Sequence, residues 1–175
     1  MCVFTVFFNR VAGIAPEGDV PYPLWSFAGL LPWTLFSQSV ISSAASLVNN
    51  PELVTKVHFP RLIIPTAAVR SACFDFVLGC VVFLGLMVYS GRVPGPSVVF
   101  LPLALLAVVA ASLGVGLWLA AINVKYRDVR HVVPFLVQMW LFVSPVVYPS
   151  SAVAEGYRTA YSLNPMVGVI DGFRW

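Results

Sequence analysis

His58 and His131 are the only imidazoles in the chain, and they stand too far apart in sequence to form a ligand pair. No HExxH, CxxC or GxxxxGK[ST] pattern occurs, so the chain offers no zinc-protease site, no paired thiols and no phosphate-binding loop for hydrolysing ATP. Cys2, Cys73 and Cys80 are odd in number and lie in apolar context. Cys73 and Cys80 share a helix face at a spacing of seven, too far apart along the axis for disulfide geometry, and read as small packing residues. Two short segments combine both histidines with several charges, "NPELVTKVHFPRLIIP" (Asn50–Pro65) and "NVKYRDVRHVVP" (Asn123–Pro134). Such groups dock and bind; they do not cleave. The chain is expected to be no enzyme, to hold no metal or cofactor, and to draw any energy from a partner.

The elements around those segments are oily. Of 175 residues, 59% are hydrophobic and 10% charged, where a soluble domain carries about a quarter charged residues. The net charge of +3 is too small to point to nucleic acid. Leu24–Val48 and Val98–Ile122 are uncharged runs of 25 residues each, and a helix of roughly 20 apolar residues crosses a bilayer. Ser71–Tyr89 spans if Asp75 is tolerated, and Val132–Ala154 is uncharged but carries Pro134, Pro145 and Pro149. The class is therefore an all-α integral membrane protein. Met1 opens directly onto "CVFTVFF" without a basic leader, and the chain stops in mid-pattern at Trp175. A truncated first span and a missing last span are expected, with 1–175 a single transmembrane domain.

Charge sets the path. The second and fourth polar segments carry Lys56, Arg61, Arg70, Lys125, Arg127 and Arg130, against Arg10, Arg92 and Arg158 in the first, third and fifth. The positive-inside rule places the second and fourth in the cytoplasm. About five spans follow: the tail Cys2–Phe8, then Leu24–Val48, Ile63–Tyr89, Val98–Ile122 and Val132–Tyr148. Thr159–Ile170 is too short to cross, and Glu155, Arg158, Asn164 and Pro165 flank or interrupt it. An outer re-entrant hairpin suits it, since irregular backbone at that depth survives only under a cover of protein or water.

Within the first charged segment Asn50 is a good N-cap, Pro51 fits the first helical position and Glu52 suits the helix dipole. Pro60 ends the helix at Phe59. A stub over Pro51–Phe59 of about 13 Å results, suited to docking in a groove on a cytoplasmic partner and equally to tethering two spans at the interface. The basic groups of the second segment read as docking contacts or as residues snorkelling to lipid phosphates.

Transport needs a lined path. Ser39, Ser43 and Ser46 form a stripe at i, i+4 and i+7, which reads as close helix packing or as the wall of a wet conduit. Trp33, Trp140, Phe142 and Tyr148 belong to a dense aromatic set near the outer ends. They read as an interfacial belt or as a wall on which sugar rings stack. Asp75 is expected to face protein or water, with Arg70 placed to neutralise it in part. Asp171 and Arg174 are spaced as a local pair. The residues alone leave open an ATPase-driven exporter, an ion- or proton-coupled transporter or channel using Asp75, and a structural anchor.

"FAGLLPWTLFSQSVISSAASLVNNPELVTKVHFPRLIIP" (Phe27–Pro65), "GVGLWLAAINVKYRDVRHVVPFLVQMWLFVSPVVYP" (Gly114–Pro149) and "LNPMVGVIDGFRW" (Leu163–Trp175) resemble the membrane subunit of a polysaccharide ABC exporter, of the ABC-2-type permease family. The resemblance covers nearly the whole chain. It implies a homodimer in the bacterial plasma membrane, paired with ATPase subunits that bind ATP and Mg, and moving a lipid-linked O-antigen, capsule or teichoic acid chain. It implies a coupling helix at Asn50–Phe59, including Asn50, Pro51, Glu52, Leu53 and Lys56. A second contact falls at Lys125, Tyr126, Arg127, Asp128 and Arg130. An outer gate hairpin falls over Ala154–Arg174, with Glu155, Tyr157, Arg158, Asn164 and Pro165.

Overall fold

The computed structural model describes residues 22–52, 62–91, 95, 99–126, 128–146, 161 and 164–174. Its elements there are five helices: α1 (Tyr22–Asn49), α2 (Ile63–Tyr89), α3 (Leu101–Lys125), α4 (Val129–Val143) and α5 (Pro165–Arg174). The all-α reading holds among the described residues. The expected stub beyond Glu52 and the tail Cys2–Phe8 lie outside them.

Local chemistry sets most of the boundaries. Thr66 donates its hydroxyl to the carbonyls of Leu62 and Ile63 (3.0 and 2.9 Å) at the start of α2. Gly91 closes the other end with φ +67, where a side chain would be strained, and its N–H donates to the Val88 carbonyl at 3.0 Å. α3 begins with proline in its first turn and ends with Lys125, a cation on the favourable pole of the helix dipole. Five residues after buried Pro32 in α1, the hydroxyl of Ser37 returns to the Thr34 carbonyl (3.1 Å), satisfying its polar group within the helix.

α4 differs from its expected span. The sequence places a crossing over Val132–Tyr148, but the helix runs Val129–Val143 and stops at Ser144, whose ψ is 147. Pro145 favours the stop there, because its ring disfavours helical geometry at Ser144, which turns extended where Val133 before Pro134 stays helical. Fifteen residues rise about 22 Å, short of the roughly 30 Å of a hydrocarbon layer. α2 and α3 are long and apolar enough to cross. α1 is longer still at 28 residues, yet its serines dilute its hydropathy, and packing resolves the conflict. α1 lies at the centre, touching each of the other four helices. Leu35, Phe36, Val40 and Ala44 are almost fully buried, as are Ser39 and Ser43.

Aromatic rings knit the bundle together. Phe36 of α1 packs against Trp33 and edge-on to Trp140 of α4, with centroids 5.6 and 5.3 Å apart. Phe76 of α2 meets Phe173 of α5 at 6.0 Å. The outward faces are apolar instead of charged: Phe74, Val81, Leu103, Trp118 and Phe142 are all more than 60% exposed. That pattern suits a lipid solvent and would make a water-facing surface aggregate.

Candidate functional site

The end of α1 and the start of α2 border one groove, with Asn49, Asn50, Ile63 and Ile64 among its walls. α1 and α3 therefore run in the same sense, and α4 starts where α3 ends. One end of the bundle thus collects Asn50, Pro51 and Glu52 after α1, with Lys125, Tyr126, Asp128 and Arg130 between α3 and α4. All seven are exposed. Pro51 and Glu52 are helical, and the Asn50 side chain donates from Nδ2 to the Ser46 carbonyl at 2.8 Å, closing α1 behind them. Lys125 lies 5.3 Å from the ring centre of Tyr126. Arg130 donates from Nε to Nε2 of His131 at 3.1 Å. Leu53, Lys56 and Arg127 lie outside the described residues.

From this end a polar seam runs inward between α1 and α3. Ser39 and Ser43 of α1 face Gly116 of α3 so closely that a Cβ there would sit 2.8 Å from both Cβ and Oγ of Ser43. Only glycine fits, and small residues of this kind are what allow membrane helices to touch backbone to backbone. Ser112 and Ala120 continue the stripe on α3, and Asn123 ends it by donating from Nδ2 to the Ala44 carbonyl at 2.8 Å. The hydroxyls of Ser39 and Ser43 and the Oδ1 of Asn123 are buried without a hydrogen-bond partner. Sequence reading singled out the serines and missed Asn123. The available signal was the spacing of Ser112, Gly116, Ala120 and Asn123, which puts them on one helix face.

The opposite end holds a second polar junction. Asn164 caps α5: its Oδ1 accepts from the Met166 N–H at 3.1 Å, and its Nδ2 donates to the Ser144 hydroxyl at 3.0 Å. Asn164 and Pro165 thus start a helix whose Met166 and Ile170 are fully buried. The guanidinium of Arg174 donates to the carbonyls of Pro145 and Val146 (2.5 and 2.6 Å) and lies 3.5 Å from the ring centre of Trp25. Its spacing from Asp171 gave no hint of these partners.

The remaining candidates scatter. Trp33 is buried in the core beside Phe36, Trp140 is half-buried, and Phe142 is exposed on the rim of α4. Asp75 is exposed on α2, and Arg70 lies five positions earlier, about 140° around the helix, on another face. Tyr148, Glu155, Tyr157 and Arg158 lie outside the described residues. No cluster of metal-binding side chains occurs among the described residues.

The whole chain, residues 1–175, matches the ABC-2 type transporter family. The chain belongs to that family. It is 36% identical to the O-antigen export system permease protein RfbA of Myxococcus xanthus, over 99% of this chain and 66% of that protein. It is 26% identical to an RfbA permease of Klebsiella pneumoniae, over 98% of this chain and 67% of that one. It is 24% identical to the polysialic acid transport protein KpsM of Escherichia coli, over 87% of this chain and 60% of the relative. The chain thus spans about two thirds of the length of these relatives. The two polar junctions lie at opposite ends of the bundle. The helix ends there carry the groups that lipid would reject.

Proposed function

We propose that the chain is the membrane-spanning part of a permease that exports a lipid-linked polysaccharide across the bacterial plasma membrane, driven by a separate ATPase. Two copies form the path. The match of the whole chain to ABC-2 transporters, with relatives named for O-antigen and polysialic acid export, supports this reading. The charge at one end of the bundle supports this reading: two acids, Glu52 and Asp128, and two bases, Lys125 and Arg130, are exposed there on helix ends. That end faces the cytoplasm, where the ATPase docks against Asn50–Glu52 and the Lys125–Arg130 segment.

The test is ATP-driven export in membrane vesicles containing the permease and its ATPase. Transport of a lipid-linked glycan is expected to require both proteins and ATP. Charge reversal at Lys125 and Arg130 together is expected to cut transport per ATP hydrolysed by ten-fold or more, since breaking a desolvated charge contact costs about 2 kcal/mol or more. Insertion and dimer formation should be unaffected. Full coupling in the double reversal would remove this segment from the interface, and transport without any ATPase would end the exporter reading.

A further inference from the structure

Arg174 is a charged side chain among spans, and its surroundings come from three separate elements. α1 supplies Trp25, whose ring centre lies 3.5 Å from the guanidinium carbon above it. α1 also supplies Gly29, where a Cβ would overlap that same guanidinium, with Cζ at 3.0 Å and Nε at 3.2 Å. The turn after α4 supplies the Pro145 and Val146 carbonyls at 2.5 and 2.6 Å. α5 carries the arginine itself and, at its other end, Asn164 on the Ser144 hydroxyl at 3.0 Å.

The turn needs such a partner. α4 stops at Val143, and Ser144, Pro145 and Val146 are buried within the bundle. Their peptide groups have left the helix but not the apolar interior, where an unpaired carbonyl is costly. Bonds to a charged donor are the stronger class. The planar fork reaches two carbonyls at once and still offers its face to the tryptophan, an arrangement that a lysine ammonium cannot reproduce. We propose that Arg174 is the pin that holds the break after α4 shut against α1 and α5. The end of the protomer away from the charged docking residues then opens only when the guanidinium releases the Pro145 and Val146 carbonyls. Arg174 is a positioning residue in this account, acting through the turn it holds. The inference deepens the permease reading only in naming that end the outer gate; the pin itself stands on the contacts above.

A cysteine reporter tests it without any transport measurement. Val146 is 1% exposed, and its acceptor is a backbone carbonyl, so Val146→Cys keeps the bond under test. In protein whose native cysteines are replaced by alanine, a membrane-impermeant maleimide is applied to intact membranes and to inverted vesicles. Labelling at position 146 is expected to be slow in the parent and about ten-fold faster or more in Arg174→Lys, in Gly29→Leu and in Trp25→Leu. Gly29→Leu matters most, because it keeps the arginine and only removes its seat. A control cysteine at Val40, 0% exposed on α1, should stay unlabelled in every variant. Unchanged labelling at 146 in the variants that insert would overturn the pin, and so would equal acceleration at Val40, which would mean general loosening. The side from which the label enters reports the orientation separately: entry from the cytoplasmic side would reverse the topology while leaving the pin intact.

Discussion

At Gly116 a single methyl group decides how closely α1 and α3 approach. A Cβ would meet Ser43 at 2.8 Å, so any larger residue must push apart two helices that touch through Ser39, Ser43, Ser112 and Ala120. Overpacking of this kind costs typically about 1–3 kcal/mol. Losing the Asn123–Ala44 hydrogen bond costs less, about 0.6 kcal/mol on average for such bonds between membrane helices. The order is the prediction: Gly116→Leu should destabilise the detergent-purified protein more than Asn123→Ala in thermal unfolding. The reverse order would mean that the bond, not the close approach, holds the seam. The serine half of this seam was legible, because three hydroxyls at i, i+4 and i+7 stand out in an oily run. Asn123 was not, since an asparagine beside charged residues looks like the beginning of a loop until a partner helix is seen to face it. Arg174 was hidden for a related reason: its acceptors are backbone carbonyls, which leave no mark in a sequence.

Among the elements, α3 was legible from apolar run length and α2 from a run, Ser71–Tyr89, that tolerates Asp75; their observed bounds lie within three residues of the expected Ile63–Tyr89 and Val98–Ile122. α1 was legible as a helix but not as the central one. Its polar load makes sense only after four neighbours have covered it. α4 was misjudged because an uncharged run continues well beyond Pro145, and hydropathy counts such residues whether or not the backbone can remain helical. The seam gives the elements a mechanical consequence. α1 leads into Pro51–Glu52 and α3 leads into Lys125–Arg130, while Gly116 and Asn123 join the two helices below both ends. The pair should move as one body. Spin labels at Asn50 and Tyr126 are expected to keep one distance with and without trapped ATP, and to lose it in Gly116→Leu. A nucleotide-dependent change in the unmodified protein would show that the two proposed docking elements move independently.

For the whole molecule, the unresolved charge is Asp75. It lies about 18 Å along α2 from Ile63, near the middle of a layer roughly 30 Å thick. It is exposed beside Phe74 and Leu78, and among the described residues no side chain forms an ion pair with it. An isolated carboxylate there costs about 2.5–3.5 kcal/mol by insertion measurements, and more by simulation. That is a large share of the stability of any protein, so this face of α2 is expected to meet something wetter than lipid. In the two-copy permease proposed above, the surface shared with the second copy or with the path between the copies would supply such a place. Asp75→Cys is therefore expected to react with a water-soluble thiol reagent in membranes, and Asp75→Leu to lower export several-fold while the protein still inserts. If Asp75→Leu instead raised the yield of folded protein and left export intact, the carboxylate would be facing lipid, and this surface of α2 would have no part in the path.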